Sequence, residues 1–126
     1  MMELLNVDDN LTIASHLTVC EGTYDRLKGL LGVRHLDDHQ ALWIRRCNAI
    51  HTFFMLLTID AAFLDDDMRV VRLIADMKPW RVCLPARRAT SVIEGPAGMI
   101  RRGNLREGSR LGVTTGHDHS FERVKS

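Results

Sequence analysis

The run Ile59-Asp60-Ala61-Ala62-Phe63-Leu64 is apolar at odd and even positions alike, Asp60 being the exception. Successive side chains of a β-strand point to opposite faces. A strand of this composition must therefore be covered on both sides, as at the centre of a sheet or in the wall of a closed barrel. Asp65-Asp66-Asp67 makes a turn after it, and Met68 to Ala75 returns with several Val and Ile, which predicts a hairpin. Upstream, Ile50, Thr52 and Phe54 share one parity and His51, Phe53 and Met55 the other, so Ile50–Met55 reads as a further strand covered on both faces.

Shorter signals flank this centre. Residues 1–10 are polar and read as a loose start. Leu11 to Cys20 alternates and is rich in β-branched residues, which predicts one strand ended by Gly22. Thr23 is placed as an N-cap, with Tyr24, Leu27, Leu30 and Leu31 on one apolar face, so a short helix is expected over 24–31. Ala41–Arg45 reads as a strand, followed by a bend at Cys47-Asn48. Pro79, Trp80 and Pro85 break regularity, and residues 76–89 read as a long connection edged by Lys78, Arg81, Arg87 and Arg88. Thr90–Glu94 is a short strand, Gly95 to Gly98 a turn, Met99–Asn104 one or two helical turns, and Arg110–Val113 a last strand. The expected fold is mainly β (a β-rich α+β arrangement), a small partly open barrel or two packed sheets with one short helix near the N-terminus. Residues 1–113 form one domain in this reading, and 114–126 a flexible tail.

Length and composition limit the classes available. A chain of 126 residues with 45% hydrophobic and 26% charged residues is long enough to bury a core without disulfides or metal. No apolar run reaches the roughly 20 residues of a membrane helix, and the N-terminus has no signal-peptide pattern. Three widely spaced cysteines, Cys20, Cys47 and Cys83, fit reduced thiols in a cytoplasm. The charge is uneven: residues 1–68 hold five Lys/Arg and eleven Asp/Glu, whereas 69–110 hold ten Lys/Arg and three Asp/Glu. Either the two parts neutralise each other within one fold, or the second presents a basic face to an anion or an acidic partner.

Several motifs together carry a resemblance. They are Cys47-x-x-Ile50-His51-Thr52-x-x-Met55, then Ile59-Asp60-Ala61-Ala62-Phe63-Leu64-Asp65, Val70-Val71, Pro79-x-Arg81, Glu94 with Pro96 and Gly98, and Leu105, Gly108 and Leu111. Tyr24 to Leu31 adds an arginine-x-x-glycine-leucine segment. With these residues the chain resembles a family of prokaryotic proteins catalogued as domain of unknown function 192, over roughly residues 11–113. The resemblance implies a compact β-rich domain and no established reaction. Two positions depart from the family: Thr58 stands where a proline is usual, and Gly95 where a larger apolar residue is usual.

The candidate ligand-binding residues are His51, Thr52, Asp60 and Arg81, polar groups that interrupt apolar or turn segments. His51 on an apolar strand must find hydrogen bonds or stay neutral; it is either a satisfied structural histidine or, with Thr52, the mouth of a cleft. Asp60 is expected in a fixed network with His51 or with backbone near Pro79, and Glu94 near the Gly98–Met99 turn or in the same pocket. Cys47 and His51 lie about 13 Å apart if extended, at ~3.3 Å per residue, too far to share a metal unless the bend at Asn48 folds one back. The loop His35–His39 invites a metal reading, but loops collect these residue types and Asp favours turns. The run Asp65–Asp67 lacks the alternating ligands and distal Glu of a calcium loop, and no nucleophile, glycine-rich phosphate loop or metalloprotease motif is complete. No catalytic residue, metal or cofactor is assigned. The leading expectation is a non-catalytic cytoplasmic binding or accessory module with a polar cleft around His51, Asp60 and Arg81, its partner an unknown small ligand or a protein. One alternative is an enzyme on a small anionic substrate with His51 as general base. Another is a protein or nucleic-acid binder working through the basic 69–110 region. Nucleic acid is disfavoured, because only Trp80 stands among the basic residues as a stacking group.

Overall fold

A computed structural model describes residues 2–21, 33–53 and 55–115. Eight strands in them form two sheets: β1 (Met2–Asn6), β2 (Leu11–Ala14), β3 (His16–Glu21), β4 (Gln40–Arg45), β5 (Ile59–Leu64), β6 (Val70–Met77), β7 (Ser91–Pro96) and β8 (Leu111–Thr115). One short helix, α1, spans Met99–Arg102. The five-stranded sheet has the order β3-β4-β7-β5-β6 and the three-stranded sheet the order β2-β1-β8. β3 and β4 are parallel; every other pairing within the two sheets is antiparallel. The protein is therefore mainly β, built as two packed sheets and not as a closed barrel. The expected helix at 24–31 lies outside the described residues.

Strand parity explains the layering. On β4, β5 and β7, the residues Ala41, Trp43, Ala62, Leu64 and Ile93 turn to one side, where they meet Leu4, Ile13, Leu111 and Val113 of the three-stranded sheet. Leu42, Ile44, Ala61, Phe63 and Val92 turn to the other side. Among the described residues no second sheet covers that face. Ile50, Met55, Leu57, Cys83, Ala86 and Ala89, from two loops, pack on it instead. All six residues of β5 and all six of β7 are consequently buried, as an all-apolar run requires.

Four readings of the chain change. Residues 2–6 are not loose: β1 is the central strand of its sheet, with Leu4 fully buried, and Asn6 donates through Nδ2 to the Gly103 carbonyl at 2.8 Å. Glu3 and Asn6 hide the strand signal, and pairing on both edges overrides it. The predicted strand Leu11–Cys20 is two strands broken at Ser15, one in each sheet. Ile50–Met55 is not a central strand. Among its described residues only His51 forms a β-bridge, an isolated one to Val82, and the Met55 amide donates back to the Thr52 carbonyl at 3.2 Å in a turn. Ile50 and Met55 reach the core as part of a lid laid over the sheet. Finally, β7 continues through Gly95 and Pro96, and β8 continues to Thr115, two residues past the expected end of the last strand.

Gly95 has a local cause. A Cβ there would run into the Met99 thioether sulfur and lie 3.3 Å from its Cγ. Met99 is buried, so in this chain α1 supplies the apolar filling that a larger residue at 95 would bring. Gly95→Ala is expected to cost about 1–3 kcal/mol through overpacking. Adding Met99→Ala should return part of that cost, as read by a denaturant double-mutant cycle.

Candidate functional site

Two loops, 47–58 and 78–90, form the lid over the five-stranded sheet, and backbone bonds lace them together. The Thr52 amide donates to the Arg81 carbonyl at 2.8 Å, the Cys83 amide to Ile50 at 2.9 Å and the Ala86 amide to Asn48 at 2.8 Å. Thr52 is the clasp. Its hydroxyl donates to the Lys78 carbonyl at 2.6 Å and accepts the Arg81 amide at 2.8 Å, while its carbonyl accepts the Trp80 amide at 3.0 Å. The side chain is fully buried, so Thr52 acts on the backbone of 78–81 and does not face solvent.

Asp60 is the corresponding brace on β5. Its register against β6 slips between Ile59 and Ala61, leaving a bulge near Asp76, whose φ is 54°. Asp60 Oδ1 accepts the Asp76 amide at 2.9 Å, and Oδ2 accepts the Gly98 and Ile100 amides at 3.1 and 2.9 Å. One carboxylate thus joins the bulge of β6 to the first turn of α1, whose orphan amides attract an anion. The expected fixed network exists, but its donors are residues 76, 98 and 100, not His51 or the backbone near Pro79.

Arg81 is exposed beside a groove of about 500 Å³. The groove runs between β6 and the segment 78–84, with Arg72, Lys78 and Arg81 as cations and Ile74, Val82 and Leu84 as apolar walls. Asp60 instead lines a neighbouring cavity of about 590 Å³ with Gly98, Ile100, Arg101 and Arg102; Ala75 and Asp76 border both. His51 and Thr52 line neither. The His51 ring lies 5.0 Å from that of Phe53, and its Nδ1 accepts the Phe53 amide at 3.3 Å. The four candidates thus gather in one region but do not share one cleft: two brace backbone, one opens into the groove, and His51 pairs with a groove wall through Val82.

The remaining candidates have local roles. Cys47 Sγ donates to the Ala49 carbonyl at 3.0 Å, and none of the three cysteines is in a disulfide. Asp65 Oδ1 accepts the amides of Asp67 and Arg69, closing the hairpin turn. Asp37 stands between His35 and His39 at 3.3 and 4.0 Å on the surface. Glu94 is fully buried on β7, opposite Leu42 and Ala61. The charge asymmetry resolves in two ways. Near α1 the parts neutralise each other, with Arg102–Asp38 at 3.5 Å and Arg106–Asp9 at 3.7 Å. Around the groove, Arg72, Lys78 and Arg81 are exposed, and Arg87 and Arg88 are exposed further along the second loop.

Sequence reasoning missed Arg72, Val82 and Leu84 as groove residues, and Phe53 as the neighbour of Trp80 at 5.9 Å between ring centroids. One signal was present: Trp80, Val82 and Leu84 alternate between two prolines, as an extended run would. Arg72 and Phe53 come to the region only through the folded chain.

Two sheets lidded by two laced loops define a β-sandwich-like protein with a lateral groove. The chain belongs to the family described as Uncharacterized ACR, domain of unknown function 192, whose profile matches residues 5–113. A Thermococcus sibiricus relative is 43% identical over 113 residues, covering 86% of this chain and 72% of the relative. One from Thermococcus kodakarensis is 38% identical over 94 residues, or 71% of this chain and 59% of the relative. A Pyrococcus horikoshii relative is 53% identical over 55 residues, or 43% of this chain and 47% of the relative. All three bear the name UPF0127 protein, and the matches span only about half to three-quarters of their lengths. Two crystal structures share the fold, each with a TM-score of 0.70 at 18% identity over 87% of this chain. One is from Sinorhizobium meliloti, described as a candidate transcription regulator, with 89% of that chain covered. The other is a protein of unknown function from Novosphingobium aromaticivorans, with 81% covered. No helix among the described residues is long and apolar enough to cross a membrane.

Asp60→Ala strands three amide donors and is expected to cost about 3 kcal/mol or more; Asp60→Asn, which keeps one acceptor, should cost less, both read by urea unfolding. Thr52→Val should cost about 1–2 kcal/mol and raise hydrogen exchange at the Arg81 amide, while Thr52→Ser leaves exchange close to the parent.

Proposed function

We propose that this protein is a non-catalytic cytoplasmic binding or accessory module whose ligand face is the groove at Arg81. The observation that carries this reading is the Thr52 clasp. Both the amide and the carbonyl of Arg81 are bonded to Thr52, so the guanidinium projects from a fixed backbone beside Arg72 and Lys78. Such pre-ordering lowers the entropy lost when an anion binds, and a guanidinium fork suits carboxylate or phosphate. In this reading Thr52 and Asp60 shape the cleft from behind, His51 steadies its wall through Val82, and Arg81 meets the ligand.

The enzyme reading, with His51 as general base, has less support. A base must reach the proton that it takes, and His51 is not among the residues that line the groove at Arg81. The basic-face reading keeps one specific support: the exposed cations around the groove, together with the wording attached to the Sinorhizobium meliloti neighbour. Binding of that kind would weaken steeply with salt.

A two-dimensional NMR titration with small carboxylates and phosphates tests the proposal. Saturable shifts are expected at amides 72–84, and Arg81→Ala should weaken binding about tenfold or more, which is ~1.4 kcal/mol or greater, without altering the unfolding midpoint. Shifts confined to other regions would overturn it.

A further inference from the structure

The groove carries two features that a site for a small anion does not need. The first is a line of exposed apolar side chains. Trp80, Val82 and Leu84 stand at alternate positions and are 57%, 64% and 73% exposed. Phe53, also exposed, comes from the facing lid loop, its ring 5.9 Å from that of Trp80. The other two large exposed hydrophobics among the described residues, Leu11 and Leu56, lie elsewhere, Leu56 beside Leu57, Thr58 and Pro96. Isolated exposed apolar residues are ordinary, whereas a gathered set marks an interaction surface. Trp80 further has φ of 64°, an uncommon backbone state for a bulky residue. The Thr52 carbonyl holds its amide there, and the indole is displayed outward.

The second feature is a strand edge. β6 is the last strand of its sheet and pairs along its length with β5. At its start, Val70 exchanges backbone bonds with Gly108 and Ser109. Beyond that point Arg72, Ile74, Ala75, Asp76 and Met77 border the groove. Edge strands are templates for pairing and are usually guarded by charges or bulges; β6 has Arg72 and the bulge at Asp76.

We propose that the groove docks an extended, acidic segment of another polypeptide, which adds to β6 as a sixth strand. The inference rests on the binding-module reading and names its ligand class. An added strand offers alternate side chains to opposite faces. Arg72 and Ile74 share the lid face of β6, paired with Phe63 and Ala61, while Leu73 lies on the other. One set of side chains would therefore enter the groove and bring carboxylates to Arg72, Lys78 and Arg81 beside Ile74, Val82 and Leu84, and the other would lie on the Leu73 face. Charge selects the partner: three cations border the groove against Asp76 alone, so a second copy of this chain would set like charges together. Arg72 is available for exchange, since its side-chain hydrogen bond among the described residues, to the Leu84 carbonyl, is long at 3.4 Å. A nucleic acid would use the cations but leave the strand edge and the aliphatic wall without a role.

The test uses the whole chain and four probes: a short peptide alternating Glu with Val, the same peptide with Lys for Glu, the Glu peptide N-methylated at alternate amides, and a short oligothymidylate. Calorimetry is expected to show the Glu peptide at least about tenfold tighter than the Lys peptide, with N-methylation abolishing binding. Amides 71–75 should become protected from hydrogen exchange. Val82→Ser with Leu84→Ser, both at exposed positions, should weaken binding without loss of fold, and Arg81→Glu should shift preference toward the Lys peptide. Equal binding of the N-methylated peptide overturns strand addition and leaves the anion groove standing. So does failure of the Glu peptide while citrate still shifts residues 72–84. Silence toward both peptide and citrate overturns the groove reading as well. Tighter binding of oligothymidylate, or self-association through β6, overturns the proposal in favour of nucleic acid or a second copy.

Discussion

A single carboxylate ties three elements of this fold together. Asp60 sits on a strand with no exposed residue, and a charge there would be costly without partners. It meets that cost with three backbone amides drawn from the β6 bulge and the start of α1. Four-residue α1 is too short to be stable alone; the carboxylate gives its first turn an acceptor, and Met99 beneath gives it an apolar anchor. The same bulge turns the end of β6 toward Lys78. A buried hydrogen-bonding constraint on β5 therefore reaches one wall of the groove.

Thr52 does for the lid what Asp60 does for the sheet. A face of five strands normally needs another layer of regular structure. Among the described residues loops supply the cover here, chiefly 47–58 and 78–90, and loops bring backbone groups that must be satisfied. The exchange between Thr52 and residues 78–81, repeated at Ile50–Cys83 and Asn48–Ala86, satisfies several of them. The core beneath can then be apolar because the lid meets much of its polar demand within itself.

The elements with strong local signals were legible. β4, the β5–β6 hairpin, β7 and α1 stand close to where alternation, the acidic turn and the glycines placed them. The elements that were missed depend on distant partners. β1 carries Glu3 and Asn6, and becomes a strand because β2 and β8 hold both of its edges. Alternation runs unbroken through Ser15, so nothing local reports that the chain changes sheets there. Ile50–Met55 is apolar on both parities, which a lid pressed against a core shares with a central strand. Of the candidate polar residues, Thr52 and Asp60 hold backbone groups 16 to 40 residues away, a separation that no spacing rule reads.

The pairing of β1 with β8 joins residues 2–6 to residues 111–115. During synthesis the first of these strands waits for nearly the whole described chain before its second neighbour exists. Until then Leu4 and Ile13 have only the β1–β2 pair and whatever part of the larger sheet has already formed. Closing so long a loop adds little to the equilibrium cost, but it makes completion of the fold a late event. The five-stranded sheet, whose last member ends at Pro96, can assemble first, with one face already lidded and the other still open to water. A nascent chain at that stage presents Trp43, Ala62, Leu64 and Ile93 together, which is the state most in need of shielding from its neighbours.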